Sequence, residues 1–111
     1  MNELYWLIGR KSYILKSKCN NPNEYLSNYL SYCFGNSILF SRENINYMKK
    51  FYLAFPIYIK NYNALSWNHF KILLGVNNRV IRNFYLSIVL FCNSNTVELE
   101  QLISSCVYYR I

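Results

Sequence analysis

Along most of the chain the apolar residues recur at three- and four-residue intervals, the period of an α-helix, and the stretches between them carry helix-stop and helix-start residues. Leu4, Leu7, Ile8, Ile14 and Leu15 predict a first helix from Leu4 to about Lys18. Arg10, Lys11, Lys16 and Lys18 crowd its second half, where cations suit the helix dipole. Asn21-Pro22-Asn23-Glu24 then reads as a start signal, with Asn21 as cap, Pro22 in the first helical position and Glu24 able to reach back. The helix it opens runs to Phe34 through Leu26, Tyr29, Leu30 and Cys33. Gly35 supplies a residue tolerant of positive φ, and a turn from Asn36 to Phe40 leads to Ser41, the expected cap of a third helix that Pro56 ends.

The second half follows the same grammar. Ile57 to Leu65 reads as a connector, in which Ile57-Tyr58-Ile59 has an extended pattern and Asn61 and Asn63 favour turns. Ser66 caps a fourth helix holding Trp67, Phe70, Leu73 and Leu74, and Gly75 closes it. A fifth helix runs from Arg79 to about Cys92 through Val80, Ile81, Phe84, Tyr85 and Ile88, although the β-branched pair Ile88-Val89 leaves its end open to a strand reading. After the break Asn93-Ser94-Asn95, the capping box Asn95-Thr96-Val97-Glu98 opens a sixth helix with Leu99, Leu102, Ile103 and Cys106 on one face. The pattern predicts an all-α fold of about six helices in one compact domain, residues 1–111.

The third helix, Arg42 to Phe55, has the sharpest division of faces. Ile45, Met48, Phe51, Tyr52 and Phe55 gather on one side, and Arg42, Asn46, Lys49 and Lys50 on the other. One side can pack while the other meets phosphate. Composition points the same way: twelve Lys and Arg stand against five acidic residues, all Glu, for a formal net charge of +7. An anionic partner follows from such an excess. Abundant Lys, Asn, Ile and Tyr are also what A/T-rich codons encode, so the placement of the charges carries more weight than their total. Arg42 and Asn46 are the candidates to reach base edges, Lys49 and Lys50 suit phosphates, and Arg79 and Arg82 at the start of the fifth helix could extend the basic surface or simply face solvent.

Other chemistry finds little support. Metal-dependent phosphodiester cleavage needs clustered carboxylates, and Glu occurs only at positions 3, 24, 43, 98 and 100. Without Asp there is no Ser-His-Asp triad. His69, the single histidine, has no acidic or cysteine neighbour in sequence and reads as a structural hydrogen-bonding residue. Cys19, Cys33, Cys92 and Cys106 form no Cys-x-x-Cys pair, so no zinc site, cofactor or metal is expected and the thiols read as reduced, in a cytoplasmic protein. The start MNELYWLIGRK lacks the charge order of a secretory signal, and the longest apolar run, Phe84 to Cys92, is far short of the roughly 20 residues that cross a bilayer, so no membrane partner is expected. Tyr5, Trp6, Tyr52, Phe55, Trp67, Phe84 and Tyr85 fall at helical spacing among apolar neighbours and read as core.

Five segments taken in order, LYWLIGRK, FGNSILFSRENINYMKKFYLAFP, LSWNHFKILL, RNFYL and ELEQLISSCVYYRI, resemble the N-terminal domain of the YhcG-type proteins, and the resemblance spans essentially the whole chain. Those proteins join a helical N-terminal domain to a C-terminal PD-(D/E)XK nuclease domain. The resemblance implies a helix-turn-helix-like DNA-binding core whose arms are Asn21 to Phe34 and Arg42 to Phe55. The family's Phe-Ser-Arg-x-Asn-Leu-x-x-Met-Arg-x-Phe-Tyr pattern falls on Phe40, Ser41, Arg42, Asn44, Ile45, Met48, Lys49, Phe51 and Tyr52, and its Leu-x-Trp-x-His pattern on Leu65, Trp67 and His69. The last motif departs: Asn95 stands where the family has Trp, one Arg is missing between Val97 and Glu98, and Gln101 replaces another. By the same comparison the chain starts within the family's first helix and stops before the nuclease domain, as a fragment or degraded copy would.

Two functional expectations follow. The first is a DNA-binding module for duplex or branched DNA, with the nuclease domain encoded separately. The second takes the tyrosine-rich surface as a docking face for a nuclease subunit or for a homodimer.

Overall fold

The computed structural model describes residues 2–35 and 38–110. Seven α-helices form among them, α1 (Asn2–Leu15), α2 (Pro22–Phe34), α3 (Arg42–Ala54), α4 (Trp67–Leu74), α5 (Arg79–Cys92), α6 (Thr96–Ser104) and α7 (Val107–Arg110), together with 3-10 turns at Ile38–Phe40 and Lys60–Ala64. No strand occurs among the described residues, so Ile88-Val89 belongs to a helix, and Val89 is fully buried. The fold is all-α, as the spacing predicts. The chain divides into two compact units, residues 1–58 and 59–111.

In the first unit α3 packs most extensively on α1 and less on α2. The crossing of α1 and α3 is very close, because a Cβ placed on Gly9 would lie 1.9 Å from the Met48 carbonyl oxygen. Only glycine lets the two backbones approach so far. That approach sets the rotation of α1: Tyr5, Ile8, Gly9 and Ser12 are buried, while Leu4, Leu7 and Ile14, expected on the apolar face, are exposed. Helix α1 also ends at Leu15 rather than near Lys18. The Lys18 and Cys19 amides both donate to the Leu15 carbonyl, closing the helix in a turn and leaving Lys16 and Lys18 outside it.

Helix α2 begins at Pro22 as expected, but the Asn21 side chain makes no capping bond. Of its expected apolar positions only Leu26 is buried, and Tyr29 and Cys33 are exposed. Gly35 closes α2 at φ 87°. The turn expected from Asn36 to Phe40 is described from Ile38 onward, as a 3-10 turn; Asn36 and Ser37 lie outside the described residues.

In the second unit α4, α5 and α6 pack on one another around Phe70, Leu73, Tyr85, Leu86, Val89 and Leu99. Ser66 caps α4 as expected, and the capping is reciprocal: its Oγ accepts from the His69 amide at 3.3 Å, and its own amide donates to His69 Nδ1 at 3.1 Å. The Nε2 of His69 lies 2.9 Å from the Ser94 carbonyl oxygen. With Nδ1 accepting, Nε2 is the donor, and the ring ties the start of α4 to the α5–α6 turn. Asn95 and Glu98 form the box predicted for α6, at 2.8 and 3.1 Å. The expected sixth helix is broken after Ser104, because Cys106 adopts φ 54°, and the chain resumes as α7. Tyr85 accepts the Tyr108 amide at 3.3 Å and holds that last turn against α5.

Candidate nucleic-acid interface

Helix α3 is fixed at three levels. At its start Ser41 Oγ accepts the Asn44 amide at 3.2 Å, and Asn44 Nδ2 donates to the Leu39 carbonyl at 2.6 Å, joining the 3-10 turn to the first helical turn. In its middle Met48 meets Gly9. At its end the Trp6 indole donates to the Phe55 carbonyl at 2.7 Å, beside an aromatic group in which Trp6 and Tyr52 pack edge to face at 5.3 Å. Ile45, Met48 and Phe51 are fully buried and Phe55 nearly so. A helix seated so thoroughly has one rotation, and its opposite face is presented in a defined way.

On that opposite face the structure brings together Arg42, Asn46, Lys49 and Lys50, within an arc of about 100° around the axis. Arg42, Asn46 and Lys50 are exposed and Lys49 is half-buried. The Lys50 ammonium rests 5.5 Å from the Tyr47 ring centroid, a cation–π contact that steadies the side chain without removing it from water. Glu43, in the first turn, is the acidic residue of the helix, and exposed Leu53, one turn beyond Lys49, marks the end of the polar face.

Arg79 and Arg82 lie on α5 in the second unit. Arg79 is exposed. Arg82 is half-buried, and its Nη1 donates to the Val76 carbonyl at 2.9 Å, bracing the turn before α5. Burial, and then the charge of Arg79, lower the pKa of its guanidinium. Asn78 caps the helix by accepting from the Val80 and Ile81 amides at 2.9 and 3.1 Å.

The sequence left three features of this region unread. Asn44, inside the family pattern, turns inward to the Leu39 carbonyl, and the three-residue step from Ser41 was the available signal. Nothing in the spacing around Gly9 announces the close approach of Met48. Tyr29, whose spacing puts it with Leu26 and Leu30, is exposed. Among the described residues, no three His, Cys or Glu side chains come together in a way that could hold a metal ion, and no helix is long and apolar enough to cross a membrane. The four cysteines are free thiols.

A family model described as the DUF1016 N-terminal domain matches residues 1–110. No curated protein and no solved structure matches the chain.

Proposed function

Because the chain belongs to the DUF1016 N-terminal domain family, the YhcG-type family whose motifs it carries, we propose that it is a non-catalytic DNA-binding module whose contact surface is the polar face of α3. The observation that carries this reading is the pairing, on one helix, of a fully buried underside with Arg42, Asn46, Lys49 and Lys50 together on the outer face. A helix about 20 Å long enters a major groove about 12 Å wide, with residues near its start aimed at base edges. Arg42 and Asn46 take that role, and Lys49 and Lys50 neutralise backbone phosphates. The family resemblance supports a module that serves a PD-(D/E)XK nuclease domain. The arrangement is helix-turn-helix-like in a loose sense: residues 35 to 41 join α2 to α3, a longer connection than the three- or four-residue turn of that motif.

Fluorescence anisotropy with a labelled duplex tests the proposal. Affinity should fall steeply with salt, and Lys49→Glu with Lys50→Glu should weaken binding about 100-fold at low salt while circular dichroism stays unchanged. Binding that ignores salt, or that survives both reversals, rejects the α3 face as the contact surface. A stable dimer in sedimentation without affinity for DNA would instead support the docking role.

A further inference from the structure

The outer face of α2 is unusual for a packed helical unit. Tyr25 and Tyr29 are each 55% exposed and Tyr32 is 89% exposed, and their spacing of four and three residues puts all three on one side of the helix. The Tyr25 and Tyr29 rings lie nearly parallel, with 16° between planes and centroids 6.4 Å apart. Hydrogen bonding to Cys33 raises the pKa of the Tyr29 hydroxyl above the ordinary tyrosine value. Beside the first two rings a groove of about 420 Å³ opens between α1 and α2, floored by Leu7, Leu26 and Leu30, with Lys11 on its wall.

We propose that this groove and tyrosine row form a site for single-stranded nucleic acid, in which successive bases stack on Tyr25, Tyr29 and Tyr32 while Lys11 meets the sugar-phosphate backbone. Aromatic faces beside a cation are the elements of sequence-tolerant single-strand recognition, because every base presents a π-face. Tyr25 to Tyr32 covers about 10 Å along the helix, room for two or three bases. Charge selects the occupant. Residues 1–58 carry seven Lys and Arg against three Glu, and Glu24, the acid next to Tyr25 in sequence, lies about 100° away around α2. A second copy is the poorer occupant, because two-fold pairing would set two basic units face to face. The site shares no residue with the polar face of α3, so it stands or falls separately from duplex binding.

The test uses the full chain and a labelled oligothymidylate of about 15 nucleotides, with a duplex as parallel probe. Tyr25→Leu combined with Tyr29→Leu keeps the surface apolar but removes the rings. Single-strand affinity should drop at least about tenfold while duplex affinity changes less than about twofold. Lys11→Glu, on an exposed position, should weaken single-strand binding independently and flatten its salt dependence. A strand carrying 2-aminopurine should lose fluorescence on binding the wild type and regain it with the leucine variant. The inference is overturned if the oligothymidylate does not bind at low salt, or if it binds equally well to both variants. It is also overturned if sedimentation shows a dimer that the leucine variant dissociates while single-strand affinity is unchanged.

Discussion

Helices α3 and α5 each begin with an arginine placed directly after a polar cap, Ser41 before Arg42 and Asn78 before Arg79, and each carries another cation within two turns. In α3 the cations lie on the face opposite a fully buried underside, and the Lys50 ammonium rests over the tyrosine ring beside it. In α5 the second arginine folds back to the Val76 carbonyl and is half-buried, engaged in holding the turn that precedes its own helix. A cation is useful to a ligand to the extent that the fold has not already given it an acceptor. By that measure Arg82 of α5 is a structural residue, whereas Arg42 and Lys50 of α3 stay exposed to solvent.

The comparison can be broken most severely at Gly9. Replacing it by alanine forces a methyl group into the Met48 carbonyl, a backbone atom that cannot swing aside, and should destabilise the first unit by about 3 kcal/mol. Urea unfolding followed by circular dichroism measures this, and a change under about 0.5 kcal/mol would mean that the α1–α3 crossing is not what seats α3. Next in size is His69→Ala in the second unit. It leaves the Ser94 carbonyl and the Ser66 amide without their ring partners and should cost about 2 kcal/mol in the same measurement. The smallest effect sharpens the contrast directly: Arg82→Ala should lower stability by about 1 kcal/mol and leave duplex affinity within about threefold of wild type. A large loss of affinity with stability intact would place Arg82 among the DNA contacts and erase the distinction between the two helices.

Much of this architecture is legible in the sequence where local chemistry decides it. Ser41, Ser66 and the Asn95–Glu98 box all cap as their spacing predicts, and Gly35 takes the positive φ that ends α2. The alternation on α3 is legible too, since Ile45, Met48 and Phe51 leave no second way to bury the helix. What was not legible depends on partners distant in the chain. The rotation of α1 follows from where Met48 sits, which apolar periodicity does not encode. The Arg82 side chain bonds a carbonyl six residues back, across a turn. Helix α6 stops early because Cys106 adopts a left-handed conformation that its residue type does not announce. Tyr29 shares the spacing of Leu26 and Leu30, yet an amphipathic ring at a helix edge can equally face water, as it does here.

The most direct test of the α3 surface is an amide chemical-shift titration of the isotopically labelled protein with a short duplex. The account predicts that the largest perturbations cluster at Arg42, Asn46, Lys49 and Lys50, with Ile45, Met48 and Phe51 shifting less. Perturbations that leave α3 unmoved and gather on α5 or elsewhere would contradict it.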